Sequence, residues 1–369
     1  MPPTLPTTRR AFRRTDDYTP GTPKLYAVDE PLTPLGPTSV LIKIHAIALN
    51  YRDANIANGG NPWPVLPHGI LCNDAAGEVL AAGEKVTSLA VGDRVAPIID
   101  TQFVSGRELG RSWLAADEDG VMADHVVFDE RVVVKLPTYL DWSSAATIPC
   151  AGVTAWSALK GMSIGQTVLI QGLPFLVIVF LESAALTDKW AAGTGGVSVF
   201  ALKLARAAGL RVILTSSSDE KLAAMQKKYA EPPLLTVNYS KTPAWEEEVL
   251  RLTDGVGVDI VVENGGTPSL VRSMKCTRRG GVVSQVGYLG KQNGQDLAEL
   301  VPVIIDRRVV LRGINAGSKF DTEDFCAALA ATQTRLDDLI DSVFPFEKAE
   351  EAVEYVWQGK QVGKIVLQL

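Results

Sequence analysis

The chain has 369 residues, of which 46% are hydrophobic and 21% charged, and a formal net charge of -6. This length exceeds what one hydrophobic core usually serves, so we expect two domains. The acidic balance and the lack of a basic block disfavour nucleic acid as a partner. The four cysteines (Cys72, Cys150, Cys276 and Cys326) lack paired spacing, which favours a reducing compartment and a cytoplasmic protein.

The N-terminal segment carries arginines but no apolar stretch of the kind that a secretory signal requires. Arg9, Arg10, Arg13 and Arg14 therefore predict a solvated arm. The most apolar run, residues 173–181, is far shorter than the roughly 20 residues of a membrane-spanning helix. We expect neither a transmembrane segment nor a membrane partner.

Residues 38–135 form short segments rich in Val, Ile and Leu, separated by Gly and Asp turn signals. They predict an antiparallel, barrel-like β domain. From residue 142, strand and helix patterns alternate, which predicts a parallel sheet covered by helices. The C-terminal segment is predicted to return to the first domain, so we place that domain at 1–141 and 316–369 and the second at 142–315.

Four strands are predicted in the second domain, at residues 167–172, 210–217, 258–266 and 280–290. Apolar residues at helical spacing follow the first strand, and Gly209 is the predicted C-cap of that helix. In the first domain, Gly77, Gly83 and Gly92 recur through the β segments. Glycine at such places permits a positive φ or a close backbone approach.

A glycine cluster marks the start of the helix after the first parallel strand. Backbone N–H groups at such a corner can bind the pyrophosphate of a dinucleotide. A lone glycine cluster is more often a turn, but joined to this strand it predicts a phosphate site. The candidate residues are Gly172, Gly193, Thr194, Gly195, Gly196 and Val197.

The segment Leu173–Ala192 interrupts this corner. Its removal together with one glycine leaves TVLIQGTGGVSVFALKLARAAG, an uninterrupted strand, turn and helix. The excised length is 21 residues, and an intron beginning GT inside the Gly172 codon and ending AG at Gly193 fits the genetic code. We hypothesise a retained intron, which mature transcripts that keep these codons would contradict. The alternative is a genuine loop, which closure entropy tolerates.

The end of the second parallel strand selects between the two coenzymes. NAD-specific enzymes place an Asp or Glu there, which accepts hydrogen bonds from the ribose 2′-hydroxyl. This chain has hydroxyl side chains instead, and Ser216 and Ser217 together with Lys221 suit a 2′-phosphate. Helix capping is the alternative for any one of these serines. Together they predict NADP(H).

The β segments with their glycines, the glycine corner and the hydroxyl side chains after the second parallel strand follow one another along the chain. Together they resemble the medium-chain dehydrogenase/reductase superfamily from about residue 36 onward. The similarity is to its zinc-independent alcohol dehydrogenase-like and quinone oxidoreductase-like branch, which includes enoyl reductase domains. The resemblance implies an α/β protein with a GroES-like β-barrel substrate domain and a doubly wound parallel-sheet (Rossmann) domain. It implies an oxidoreductase, and it makes a homodimer a family expectation.

The resemblance also assigns residues to the cofactor. Tyr239 matches the tyrosine that the quinone oxidoreductase branch uses for the 2′-phosphate. Gly287 and Asn315 are expected to bring backbone and amide groups to the nicotinamide half of the cofactor. Asn264, after the third parallel strand, is a further cofactor-binding candidate.

Zinc alcohol dehydrogenases use a thiolate and a neutral imidazole as catalytic zinc ligands. At the matching positions this chain has Asn50 and the stretch 72–74, Cys-Asn-Asp, so the resemblance implies a zinc-free enzyme with no metal site. We treat His68, four residues before Cys72, as a turn residue and Cys72 as part of the core.

Without zinc, side-chain donors must polarise the substrate. Asn50, Tyr51 and Asp53 match the stretch near the nicotinamide in zinc-free relatives, and Thr154 matches a position beside it. The alternatives are that Asn50 and Asp53 cap a helix and that Thr154 only packs.

These residues predict NADPH-dependent hydride transfer to a small organic substrate. An enone or quinone is favoured over a simple ketone, because it delocalises the developing charge without a Lewis acid. The rival hypothesis is a non-catalytic nucleotide-binding relative of the zeta-crystallin kind, or a product whose cofactor binding the 173–192 segment impairs.

Overall fold

The structure is a computed structural model that describes residues 5–172, 174–176, 190–192, 195–288 and 292–369. The chain forms two compact units. Unit 1 comprises Met1–Val153, Ala316–Trp357 and Gly363–Leu369, and unit 2 comprises Thr154–Asn315 and Gln358–Val362.

The strands are β1 (Thr8–Arg14), β2 (Leu25–Pro31), β3 (Ser39–Leu49), β4 (Asp74–Ala82), β5 (Arg94–Pro97), β6 (His125–Asp129), β7 (Val133–Lys135), β8 (Thr167–Gln171), β9 (Pro174–Leu176), β10 (Trp190–Ala192), β11 (Arg211–Ser216), β12 (Leu235–Asn238), β13 (Val258–Glu263), β14 (Thr277–Gln285), β15 (Val310–Gly313), β16 (Ile340–Pro345) and β17 (Lys364–Gln368).

The α-helices are α1 (Tyr51–Ala57), α2 (Trp142–Ala146), α3 (Val153–Leu159), α4 (Gly196–Ala207), α5 (Asp219–Lys228), α6 (Trp245–Leu252), α7 (Thr267–Lys275), α8 (Leu300–Arg307), α9 (Lys319–Thr332) and α10 (Ala349–Trp357). A π-helix spans Ile148–Gly152, and short 3-10 helices span Glu130–Val132, Gly294–Leu297, Asp337–Leu339 and Phe346–Lys348. Within the described residues, no helix combines the length and apolarity that crossing a bilayer requires.

The core of unit 1 is a seven-stranded sheet in the order β16-β17-β3-β4-β5-β7, with β6 also paired to β3. The C-terminal strand β17 lies antiparallel to β3, with Ile365 opposite Leu49. The strand pairs within residues 38–135 are antiparallel, which confirms the prediction for that segment. The later strands β16 and β17 are parallel to each other. Helix α10 connects these two strands, and such a crossover permits parallel pairing.

The glycines of the β segments have the two roles expected of them. A Cβ on Gly77 would lie 2.4 Å from Lys43 O, and one on Gly83 would lie 2.1 Å from Gly36 O. Only glycine allows these backbones to approach so closely. Gly92 has a φ of 90°, which a side chain rarely tolerates.

The core of unit 2 is a six-stranded sheet in the order β12-β11-β8-β13-β14-β15, and all its pairs are parallel. This is the strand order of the doubly wound dinucleotide-binding fold. Val168 in β8 lies opposite Val212 in β11 and Ile260 in β13. The carboxyl end of β8 is therefore the point at which the strand order reverses.

Two of the predicted strands in unit 2 differ in extent from the observed ones. Strand β13 ends at Glu263, because Gly266 has a φ of 85° and turns the chain into α7. Strand β14 begins at Thr277 and ends before Gly287. Gly209, with a φ of 72°, follows the end of α4, which confirms the predicted helix stop.

The prediction of a solvated arginine arm is wrong. These arginines lie in β1, which pairs with β2. Arg9 and Arg13 form ion pairs with Glu30 and Asp119. Arg14 is only 1% exposed, and its guanidinium donates to the Leu66 carbonyl. Arg10 alone is exposed, and the other three are held by partners from later parts of the chain.

Candidate functional site

Three polar side chains meet at the carboxyl end of β8 in unit 2. The main-chain oxygen of Gln171 accepts hydrogen bonds from Ser198 Oγ at 2.8 Å and from Asn264 Nδ2 at 3.0 Å. Asn264 Nδ2 also donates to Ser198 Oγ at 3.3 Å. All three residues are buried. These bonds hold the first turn of α4 at the end of β8, although residues 173–194 separate the two in the sequence.

The N-terminus of α4 is built from glycine. The helix begins at Gly196 with Gly195 as its N-cap, and Val197 is half-buried. A Cβ on Gly195 would meet no atom of a described residue within 4 Å. The first N–H groups of a helix lack partners and favour an anion. Gly193 and Thr194, which we also predicted to bind phosphate, lie outside the described residues.

The hydroxyl side chains after β11 have different surroundings. Ser216 is 1% exposed, and its Oγ accepts a hydrogen bond from Ser218 N at 3.3 Å. Ser218 is the N-cap of α5, because its Oγ accepts from Lys221 N at 3.3 Å. Of the serines after β11, Ser218 is therefore the one that caps a helix. Ser217 and the Lys221 side chain are only partly buried.

Tyr239 lies beside Ser217. Burial raises the pKa of Tyr239 to about 12, and Ser217 acts in the opposite direction. The Tyr239 hydroxyl is buried, and Ser217 is the polar neighbour that interacts with it, without reaching hydrogen-bonding geometry. Asp219, in the first turn of α5, forms an ion pair with Lys241 and accepts a hydrogen bond from Asn238. Its negative charge is thus balanced by a lysine.

The remaining cofactor candidates lie at other strand ends of unit 2. Gly172 follows β8 and donates its N–H to Thr215 O at 2.9 Å. A Cβ on Gly287 would lie 3.0 Å from Asn264 O, so a glycine lets the two loops approach. Asn315 is exposed and lies two residues beyond β15.

A second polar cluster lies inside unit 1 and consists of Asn50, Asn73, Asp74 and Lys364. Lys364 Nζ donates to Asn50 Oδ1 at 2.6 Å and lies 3.3 Å from Asp74 Oδ2. Asn50 Nδ2 donates to Asp74 Oδ2 at 2.9 Å and to Asn73 Oδ1 at 3.2 Å. Asp74 is fully buried and Lys364 is 2% exposed, so this is a buried ion pair.

Burial shifts the pKa of Asp74 in this cluster and the pKa of the nearby Cys150 thiol. Burial raises the pKa of Asp74 to about 6, while Lys364 and the hydrogen bond from Asn50 oppose the shift. Burial also raises the pKa of the Cys150 thiol to about 12, and the charges of Asp74 and Lys364 act on this thiol. Cys150 is therefore a neutral thiol at physiological pH.

The structure separates the roles of the predicted catalytic residues in α1. Asp53 caps the helix, because its Oδ2 accepts from Asn50 N at 2.7 Å. Both ends of the Asn50 side-chain amide are used within the buried cluster. Tyr51 Oη donates to Asn55 Oδ1 at 3.4 Å, and its ring stacks on Trp357 with the ring centroids 6.5 Å apart.

The structure also gives the positions of Thr154, His68 and Cys72. Thr154 is buried in the first turn of α3. The His68 side chain is 60% exposed and its φ is 50°. Cys72 is fully buried and belongs to the core of unit 1.

Sequence reasoning did not assign a role to Lys364, Gln171, Glu263 or Ser198. Three of them could have been noticed in the sequence, because each is a polar residue at the beginning or end of an otherwise apolar strand. Lys364 begins β17, Gln171 ends β8 and Glu263 ends β13. A buried strand end with a polar residue demands a partner, but one sequence does not identify that partner.

We predict that Lys364→Met lowers the free energy of unfolding by about 3 to 5 kcal/mol, because it leaves the Asp74 carboxylate buried without its cation. Urea unfolding measures this change. The control is Lys348→Met, since Lys348 pairs with Glu351 at the surface, and it should change the value by less than about 1 kcal/mol. A loss below about 1 kcal/mol for Lys364→Met would contradict the proposed ion pair.

We also predict a pH dependence that Asp74 causes. Its folded-state pKa of about 6 lies above the ordinary 3.8, so the folded state binds the proton more tightly. The contribution of Asp74 to stability is therefore present below about pH 4 and is lost as the pH rises toward 6. Unfolding curves of Asp74→Asn should lack this part of the slope. Identical slopes for both proteins between pH 4 and 6 would disprove the assignment.

Comparisons with known proteins agree with this architecture. Residues 36–138 match the family model described as the alcohol dehydrogenase GroES-like domain, and residues 196–333 match the one described as zinc-binding dehydrogenase. A zinc-type alcohol dehydrogenase-like protein of Schizosaccharomyces pombe is 35% identical over 339 residues, which cover 91% of this chain and 92% of that protein.

Two more relatives extend the comparison. A quinone oxidoreductase of Pseudomonas aeruginosa is 29% identical over 310 residues, covering 84% of this chain and 79% of that protein. A crystal structure from Sinorhizobium meliloti 1021, assigned as an alcohol dehydrogenase, has a TM-score of 0.82 at 27% identity and covers 99% of this chain and 100% of that one. The chain belongs to the medium-chain dehydrogenase/reductase superfamily and is an oxidoreductase of that family.

Proposed function

We propose that the protein transfers hydride from NADPH to a small organic substrate without zinc, with an activated C=C bond or a quinone ahead of a simple ketone. The observation that carries the proposal is the corner of Gln171, Ser198 and Asn264. It keeps the glycine N-terminus of α4 at the carboxyl end of β8, where the pyrophosphate of a dinucleotide binds in this fold.

NADPH is preferred because of the groups after β11. The Tyr239 hydroxyl is buried, and among the described residues it has only the Ser217 interaction, which falls short of hydrogen-bonding geometry. A phosphate oxygen would be a suitable acceptor for it. Ser217 and Lys221 supply further donors. The carboxylate of Asp219, which could repel a 2′-phosphate, is paired with Lys241.

The residues of the unit 1 cluster do not fit a catalytic zinc. A catalytic zinc takes three protein ligands from Cys, His, Asp and Glu side chains, whereas this cluster offers only the Asp74 carboxylate, which already pairs with the Lys364 ammonium. The described residues contain no group of three or more His, Cys, Asp or Glu side chains arranged for a metal. We therefore assign substrate polarisation to hydroxyl donors, with Tyr51 and Thr154 as candidates, and a positioning role to Asn50.

The substrate preference follows from the same chemistry. A quinone or enone spreads the negative charge of hydride addition onto its own oxygen, so it needs a Lewis acid less than a ketone does. The similarity to a bacterial quinone oxidoreductase supports this order. The four free cysteines support a cytoplasmic location, and we expect neither nucleic acid nor membrane as a partner.

The coenzyme is tested by steady-state kinetics with a quinone or an enone as acceptor. We expect kcat/KM for NADPH to exceed that for NADH by about tenfold or more, since each charge-assisted hydrogen bond contributes about 1.5 to 3 kcal/mol. Tyr239→Phe should weaken NADPH use by about tenfold and leave NADH use unchanged.

The control for this experiment is Tyr26→Phe, because Tyr26 is an exposed residue of β2. More efficient use of NADH would contradict the coenzyme assignment. Binding of NADPH without turnover of any quinone, enone or aldehyde would favour the non-catalytic relative. Absence of binding that a variant lacking residues 173–193 restores would favour the impaired product.

We further propose that the protein is a homodimer that pairs through β15. Within the described residues, this strand is one of the two edge strands of the parallel sheet, the other being β12, and Val310 on it is 54% exposed. On α8, the helix before it, Val301 and Ile305 are 63% and 70% exposed. Exposed apolar side chains beside an unpaired strand edge favour pairing with another chain.

Sedimentation velocity tests the dimer. We expect the wild type to sediment as a dimer and Val310→Lys as a monomer, because a lysine on an edge strand opposes edge pairing. Val256→Lys is the matched control, since Val256 is 63% exposed in the turn after α6. A monomeric wild type, or a dimer that Val310→Lys leaves intact, would contradict this interface.

A further inference from the structure

Glu263 is a buried carboxylate at the end of β13, with no exposed surface. Burial raises its pKa, and the surrounding donors act against that shift. Burying a carboxylate costs several kcal/mol unless hydrogen bonds compensate. The hydrogen-bond partners of Glu263 show how this cost is offset and which neighbouring groups the carboxylate orients.

The Glu263 carboxylate accepts hydrogen bonds from two directions. On one side Gly265 N donates at 2.7 Å, Gly266 N at 3.2 Å and Ser269 Oγ at 2.6 Å, which fixes the turn into α7. On the other side Gln171 Nε2 donates at 2.6 Å and Ser273 Oγ also donates. The carboxylate thus joins the turn before α7 to the end of β8.

The bond from Gln171 orients the side-chain amide of that residue. Its Nε2 is held by Glu263, so its Oε1 must point the other way, where it accepts from Asn264 N at 3.1 Å. The Asn264 side chain is fixed in turn, because its Nδ2 donates to Gln171 O and to Ser198 Oγ. The atom left over is Asn264 Oδ1, which takes part in no hydrogen bond within the described residues.

An amide fixed in this way presents an acceptor and not a donor. A dinucleotide offers phosphate oxygens, which only accept, and ribose hydroxyls, which can donate. We propose that Glu263 is a positioning residue for the dinucleotide: through Gln171 it orients the Asn264 amide so that Oδ1 accepts a hydrogen bond from a ribose hydroxyl. This inference rests on the proposed function, since it requires a dinucleotide at the end of β8.

Because Gln171 and Glu263 are hydrogen-bonded to each other, a double variant can exchange the two side chains between these positions. In Glu263→Gln, the new Nε2 replaces an oxygen that accepts either from Gly265 N or from Gln171 Nε2, and neither of these N–H groups can accept in return. If the Nε2 faces Gln171, the Gln171 amide must flip or lose its bond to position 263, and a flipped amide no longer offers Asn264 N an acceptor. In the double variant with Gln171→Glu, the new glutamine donates to Glu at position 171. The carboxylate there still accepts from Asn264 N. The Ser273 hydroxyl, which accepts from Gln171 Nε2 in the wild type, can donate to the new carboxylate, and the number of buried charges is unchanged.

The test is NADPH affinity, measured by fluorescence titration of the full chain. We expect Glu263→Gln to raise the Kd by about tenfold or more, which is about 1.4 kcal/mol or more. The double variant should return to within about threefold of the wild type. Glu248→Gln, at a surface pair with Arg251, is the matched control and should bind as the wild type does.

Asn264→Leu separates positioning from a general structural role. This variant alone should lose about tenfold in affinity. If Glu263 acts through Asn264, adding Glu263→Gln to it should lower the affinity by less than about twofold more. A further tenfold loss in that background would overturn the proposal, because it would show that Glu263 acts by another route.

Other outcomes are equally decisive. Wild-type affinity in a folded Glu263→Gln variant, or in Asn264→Leu, would overturn the inference while the proposed function stands. If Glu263→Gln does not fold, Asn264→Leu and the exchanged double variant decide by the same criteria. If the wild type binds neither NADPH nor NADH, the proposed function itself fails, and this inference fails with it.

Discussion

Parallel pairing of β8 with β11 on one side and β13 on the other is the constraint on which the candidate site depends. Parallel strands bring their carboxyl ends to one edge of the sheet. Gln171, Ser216 and Glu263 end these three strands, so residues that are distant in the sequence meet along that edge. The bond from Ser198 Oγ to the Gln171 main-chain oxygen ties the first turn of α4 to this end of the sheet.

The two units bury ionisable groups by different means. In unit 1 a cation lies against the Asp74 carboxylate, and Asp74 Oδ1 has no hydrogen-bond partner among the described residues. In unit 2 the Glu263 carboxylate has neutral donors on both oxygens. A cation neutralises the buried charge, whereas a shell of neutral donors fixes the orientation of the donor side chains around the carboxylate. The first arrangement suits a stable core, and the second suits a group that must orient its neighbours.

Local signals account for what the sequence predicted well. The parallel strands, the helix stop at Gly209 and the tightly packed Gly77 and Gly83 follow from periodicity and from glycine chemistry within a few residues. The strand ends were less accurate, because the turn at Gly266 is fixed by bonds to Glu263 that a sequence does not display.

The contacts that were missed join distant parts of the chain. Lys364 binds Asn50 across 314 positions, so the amide that we expected to face a substrate is used inside unit 1. The arginines of β1 looked like a solvated arm, because their partners Glu30 and Asp119 come later in the chain. Tertiary pairing decides the environment of a charge, and local composition does not.

The account is tested most directly by hydrogen–deuterium exchange with and without NADPH, because this measurement locates the bound dinucleotide. We expect slower exchange in the first turn of α4, in the residues after β11 and in the turn from Asn264 to Gly266 when NADPH is present. Protection confined to unit 1, or no protection in unit 2 at saturating NADPH, would contradict a dinucleotide site at the end of β8.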